Sequence, residues 1–196
     1  MPVFKKSIKK RDNESAPLVV AASTDDFGTQ PVKQLDSRLG MDGYRDFYTL
    51  KNYWKTVHRR WKESHGLLMY RYLKTCPEAK ERYQKLNGLN IDSPECSEPA
   101  FETIASNYLK VFDEVITAVE QTPSDASSAC QRLSSVGKMH RSKVNGIKFD
   151  DFQQLEAPFL YMISEILQDR FNEKAEMLFR KFFQFCLRFI LEGFNS

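Results

Sequence analysis

Apolar residues recur at every third or fourth position from Asp46 almost to the last residue, and that period decides the fold class. Phe47, Leu50, Trp54, Val57 and Trp61 fall on one face of a first helix. No segment shows the sustained apolar–polar alternation of a half-buried strand. Eight Gly and eight Pro are also few for a chain that turns as often as a β-rich protein does. The expected class is all-α.

The rest of the chain extends the pattern. Gly66 to Lys74 reads as a short second helix, apolar nearly all round. Thr75-Cys76-Pro77-Glu78 carries the capping hydroxyl, early Pro and early acid of a third helix start, which ends near Leu86. After a polar loop from Asn87 to Cys96, Ser97-Glu98-Pro99 opens a helix whose face is Phe101, Ile104, Ala105, Tyr108, Val111, Phe112, Val115 and Val119. The next carries Ala126, Ala129, Cys130, Leu133, Val136, Gly137 and His140, and Asn145-Gly146 marks a turn. Of the last two helices, one runs from Phe149 to Ile166 and should kink or start late at Pro158. The other carries Ala175 to Ile190 and should end at Gly193, a C-cap residue.

Residues 1–45 differ from the domain expected over 46–196. Lys5, Lys6, Lys9, Lys10 and Arg11 precede a Ser-, Asp- and Thr-containing stretch, and the one apolar run, Pro17 to Ala22, is short. The expectation is a disordered N-terminal extension, and its sharper form is a docking segment for an acidic partner or a membrane surface. A net charge of +3, from 29 basic and 26 acidic residues, is too small for a protein held to nucleic acid by its phosphates. No apolar run is long enough to cross a bilayer, and no signal-peptide core follows the basic start. Cys76, Cys96, Cys130 and Cys186 are scattered without C-x-x-C spacing or close His, which argues against zinc and against a disulfide framework. A cytoplasmic protein is expected.

Catalytic signatures are missing: no G-x-S-x-G, no phosphate-binding loop, no H-E-x-x-H, no G-x-G-x-x-G. The chain is not expected to be an enzyme. Of three histidines, His58 lies among Arg59, Arg60 and Lys62, and His65 precedes Gly66 at an apparent helix junction. His140 closes an apolar stripe one turn beyond Val136. Such a residue is either a core imidazole bonded to a backbone carbonyl or a ligand, because imidazole is the common protein ligand of iron in a planar macrocycle.

The order and spacing of these features resemble the globin family over about residues 46 to 194. The resemblance rests on Trp54, on Gly66 followed by Pro77-Glu78 and Tyr83, on the helix holding Phe101 and Asp113, and on Leu133 to His140. His65-Gly66, Leu160-Tyr161-Met162 and Glu192-Gly193-Phe194 look most like neuroglobin-type and nematode neural globins. The resemblance implies a globin fold of seven to eight helices holding haem b, with His140 as the proximal iron ligand. The second ring nitrogen of His140 should donate to a backbone carbonyl near Val136. Val136, Ile147 and Phe152 should line the proximal side, and Tyr83 should pack where a Phe normally meets the haem. On the distal side the globin pattern puts Ile104 in place of the usual His, with Tyr108 one turn later. Counting from Gly66 or from Pro77 adds Tyr70 or Met69 as distal candidates. Neither His58 nor His65 has a route to the sixth position.

The implied function is reversible binding of dioxygen or another diatomic gas at ferrous iron, in sensing, redox or signalling rather than bulk oxygen transport. The alternative is a haem-free globin fold serving as an interaction or signalling module. A homodimer and a partner for the basic N-terminal segment complete the expectations.

Overall fold

The computed structural model describes residues 33–196. Among these, seven α-helices and no strands are formed: α1 (Tyr44–Arg59), α2 (Trp61–Thr75), α3 (Pro99–Gln121), α4 (Ser127–Lys143), α5 (Phe149–Gln153), α6 (Glu156–Leu167) and α7 (Glu173–Asn195). The long first helix read from the sequence ends at Arg60, whose backbone (φ −105°, ψ 41°) leaves the helical region. Trp61 therefore opens α2, which puts His65 and Gly66 inside a helix and not at a junction. A Cβ on Gly66 would collide with the Pro94 carbonyl, so this glycine lets α2 touch the loop before α3. The expected third helix is instead two 3-10 stretches, Pro77–Arg82 and Gln84–Leu86, broken at Tyr83. Pro158 falls in the first turn of α6, where its missing N–H costs nothing.

Of the expected extension, residues 1–32 lie outside the described residues. Residues 36–41 are packed on the helices. Leu39 and Met41 are buried, and Asp36 caps the 3-10 turn Ser37–Leu39 by accepting from Arg38 N at 2.9 Å. The same carboxylate accepts from Ala126 N at 2.8 Å, while Asp36 N donates to Pro123 O at 2.7 Å. One acid thus fastens the approach to α1 onto the turn between α3 and α4.

Two apolar clusters form the interior. The larger joins α1, α3, α4, α6 and α7 around Phe47, Phe112, Phe159, Phe179 and Phe182, with Phe112 and Phe159 ring centroids 4.7 Å apart. Each such ring taken from water contributes about 1.5–3 kcal/mol before entropy is counted. The smaller joins Met69, Tyr72 and Leu73 of α2 to Ala79, Leu86, Phe101 and Ala105. Leu155 packs against both. Trp54 Nε1 donates to Asp113 at 2.9 Å, tying α1 to α3.

The crossing of α4 and α7 sets the position of His140. A Cβ on Gly137 would lie 2.6 Å from Phe194 N and would run into Ile190 O, and one on Gly193 would run into the backbone of Ser134. Two glycines thus let the helices approach backbone to backbone. Gly193 is not the expected C-cap: α7 continues to Asn195, and Gly193 is buried within it.

Candidate functional site

His140 lies in the last turn of α4. Its Nδ1 is 2.8 Å from Val136 O, one helical turn back. A carbonyl only accepts, so Nδ1–H donates and Nε2 keeps the lone pair. Burial pulls the His140 pKa below its ordinary value, with the Val136 bond opposing the shift. The result is a neutral imidazole fixed in the tautomer that a metal ligand needs. Its ring meets Phe152 of α5 at 5.4 Å, edge to face, and Phe152 meets Phe194 of α7 at 5.2 Å. Of the residues expected on this side, Val136 is buried, Phe152 is half-buried, and Ile147 is half-buried in the connection between α4 and α5.

The smaller cluster gathers the opposite set. Met69 is buried in it, and Tyr83, Ile104, Tyr108 and Tyr70 pack on it partly buried. The hydroxyls of Tyr83 and Tyr108 contact each other directly. Tyr72, which is not among the expected site residues, places its ring 6.2 Å from Tyr108. Burial pushes the pKa of all three phenols above the ordinary value, so they stay protonated donors. Tyr70 lies two positions before Tyr72 on α2 and is only partly buried on the cluster in which Tyr72 is buried. Tyr70 accordingly takes the Lys74 ammonium over its ring at 5.4 Å and makes no contact with Tyr108 comparable to that of Tyr72. The signal for Tyr72 was its i+3 spacing from Met69.

The two halves are linked across α5. Asp151, beside Phe152, pairs with Arg82 at 2.9 Å, and Arg82 directly precedes Tyr83. Both partners are mostly buried, at 9% and 17% exposure, so removing one leaves an uncompensated charge. Asp151 also accepts from Lys148 N at 2.6 Å, which closes the turn leading from α4. Two surface recesses, about 740 Å³ beside α7 and about 360 Å³ beside His65, are lined by neither His140 nor Tyr108.

The remaining histidines stand apart. His58 is 62% exposed. His65 is buried, and its Nδ1 has no hydrogen-bond partner. Burial lowers its pKa, Glu102 opposes that and Lys62 adds to it. The folded state therefore resists protonation of His65 while the unfolded chain accepts it near pH 6.5. Stability from this residue is complete above that pH and is lost as pH falls toward the folded value, and His140 contributes with the same sign. The urea midpoint should drop between about pH 7 and pH 5, less steeply in His65→Gln. Parallel slopes would exclude the buried imidazole as a cause.

No protein-family profile matches the chain, and neither does any curated protein sequence. Solved structures do match. A hexacoordinated haem protein from an anhydrobiotic tardigrade, solved at pH 4, superposes with a TM-score of 0.74 at 20% identity, covering 82% of this chain and 99% of its own. Haemoglobin from the botfly Gasterophilus intestinalis superposes with a TM-score of 0.65 at 17% identity, covering 78% and 98%. The fold is the globin fold. Within it, α4 carries His140 and α3 carries Ile104 and Tyr108.

Proposed function

We propose that this globin fold binds haem b through His140 Nε2 and presents a diatomic gas, dioxygen foremost, to the tyrosines of α2 and α3. The observation that carries the reading is the Nδ1–Val136 bond, which leaves a neutral imidazole with its Nε2 lone pair uncommitted. The residues present fit the group: a deprotonated nitrogen ligand, the Phe152 edge, an apolar cluster and protonated phenols. When bound, haem iron supplies the reversible binding of the gas.

What the chain itself does follows from its side chains. The Val136 carbonyl orients the ring of His140 and raises its basicity. Phe152 and Phe194 back that ring and exclude water. Of the two protons on the Tyr83–Tyr108 hydroxyl pair, one is used between them and the other is available to a polar ligand. A phenol hydrogen bond to a bound gas would slow its release, which suits sensing or redox signalling better than bulk transport. The phenol's hydrogen bond is worth about 0.5–1.5 kcal/mol net, so Tyr108→Phe should release dioxygen about 2- to 12-fold faster. Tyr70→Phe should change nothing. If neither Tyr108→Phe nor Tyr83→Phe alters the off-rate in stopped-flow, the donor lies elsewhere.

The tardigrade protein is hexacoordinated, but α3 of this chain contains no His. His58 is exposed and His65 lines the recess beside Pro94 and Cys96. The ferrous protein should therefore give a five-coordinate spectrum without added ligand. A low-spin six-coordinate spectrum would show an internal sixth ligand and overturn this assignment of the α3 side.

A further inference from the structure

The corner between α4 and α5 carries charge and apolar surface that the fold leaves uncovered. From Lys138 to Phe149 the chain has four cations, Lys138, Arg141, Lys143 and Lys148, and no carboxylate. Arg141 is committed to α7, donating to Phe194 O at 3.1 Å and Ser196 O at 3.0 Å. The three lysines are exposed and enter none of the ion pairs found among the described residues. Several lysines elsewhere are paired: Lys51 with Glu120 and Lys62 with Glu102, each at 2.6 Å, and Lys174 with Asp46 at 2.9 Å. The same stretch exposes Met139 (39%) and Phe149 (44%), two of the five large hydrophobic side chains so exposed among the described residues. Between them the chain turns through Gly146 at φ +73°.

We propose that this corner docks on an anionic lipid bilayer. Met139 and Phe149 enter the boundary between headgroups and acyl chains, and Lys138, Lys143 and Lys148 face the lipid phosphates and carboxylates. The pairing of exposed apolar side chains with unmatched cations is what an anionic interface recognises, through buried apolar area and surface potential together. Its placement favours a bilayer over an acidic protein. These side chains lie on the C-terminal part of α4 and at the start of α5, on either side of the Asn145–Gly146 turn, and line neither of the two surface recesses, and a fluid interface accepts exposed apolar side chains without a matching cavity. No described helix is long and apolar enough to cross a membrane, so the association is peripheral. It requires no bound cofactor and stands apart from the haem reading.

The test is sedimentation of the full chain with vesicles of phosphatidylcholine alone, or with roughly a third phosphatidylserine. Binding should appear only with phosphatidylserine and weaken with salt. Lys138→Ala/Lys143→Ala/Lys148→Ala should lower the partition coefficient about 100-fold, close to fivefold per charge. Met139→Ala/Phe149→Ala should lower it about tenfold, while Lys55→Ala/Lys110→Ala should leave it unchanged, with all variants checked for native helicity. Both test variants keep Lys5 to Arg11, so undiminished binding would place the contact elsewhere and overturn the proposal. Equal binding to both vesicles, or binding to polyglutamate and not to vesicles, would overturn it as well.

Discussion

His140→Ala is expected to take up no haem in a titration that gives the unaltered chain a strong Soret band. The loss should exceed about 100-fold in affinity, because removing a mere outer-shell partner already costs 10- to 100-fold. The substitution is unusually clean. The His140 ring bonds to Val136 O, a carbonyl within the α4 backbone, so its removal leaves that helical carbonyl with its backbone donor. The apo form should lose only the 0.5–1.5 kcal/mol typical of one hydrogen bond. A fully folded variant without haem would therefore separate ligation from folding. His140→Gly should recover the spectrum when free imidazole is added, since the ligand and not the backbone is missing. His58→Ala and His65→Ala should retain haem. If the unaltered chain takes up none, the protein is a haem-free globin fold whose surface is its function. If His140→Ala matches the unaltered chain in uptake and spectrum, another residue holds the iron.

What was legible in the sequence was whatever a helix repeats locally. The stripe from Leu133 to His140 lies within α4, and the bond from His140 to Val136 needs only i to i−4 geometry. Of the positions read as inward on α3, Phe101, Ala105, Phe112, Val115 and Val119 are buried, and Ile104, Tyr108 and Val111 are partly buried. What escaped depends on where a helix begins or on what crosses it. Arg60 breaks the chain between two amphipathic helices, and an apolar period that continues through the break hides it. Counting from Gly66 and from Pro77 gives Tyr70 and Met69 as alternatives; in α2, Met69 and Tyr72 are buried and Tyr70 packs partly buried on the same cluster. The Tyr83–Tyr108 contact joins residues far apart in sequence, and no spacing rule pairs them. No local period pairs Asp36 with the turn after α3 either, yet its single carboxylate serves Arg38 N and Ala126 N at once.

Gly193→Val should unfold the domain earlier than any other single change at a glycine except Gly137. A glycine three residues before the end of a chain reads as a cap, and as a cap its replacement would cost roughly 1 kcal/mol. The structure assigns a larger penalty. A Cβ here would collide with Ser134 O and lie 2.6 Å from Ser134 Cα. Backbone cannot swing aside as a side-chain tip does, so α7 must slide from α4 along a contact that also includes Gly137. Overpacking a core costs about 1–3 kcal/mol where side chains can adjust, and this site should sit at or above the top of that range. At about 3 kcal/mol the melting temperature of a domain this size falls by roughly 6–12 °C. Gly43→Ala is the control. Nothing lies within 4 Å of its added Cβ, and its effect should stay within about 0.5 kcal/mol. The position of His140 gives a second readout. It sits one turn beyond Gly137 on the same helix, so a displaced α4 carries the imidazole with it. Gly193→Ala, with a single methyl, should then weaken haem affinity as well as stability. A Gly193→Val variant that melts with the unaltered chain would show that α4 and α7 do not cross at these glycines.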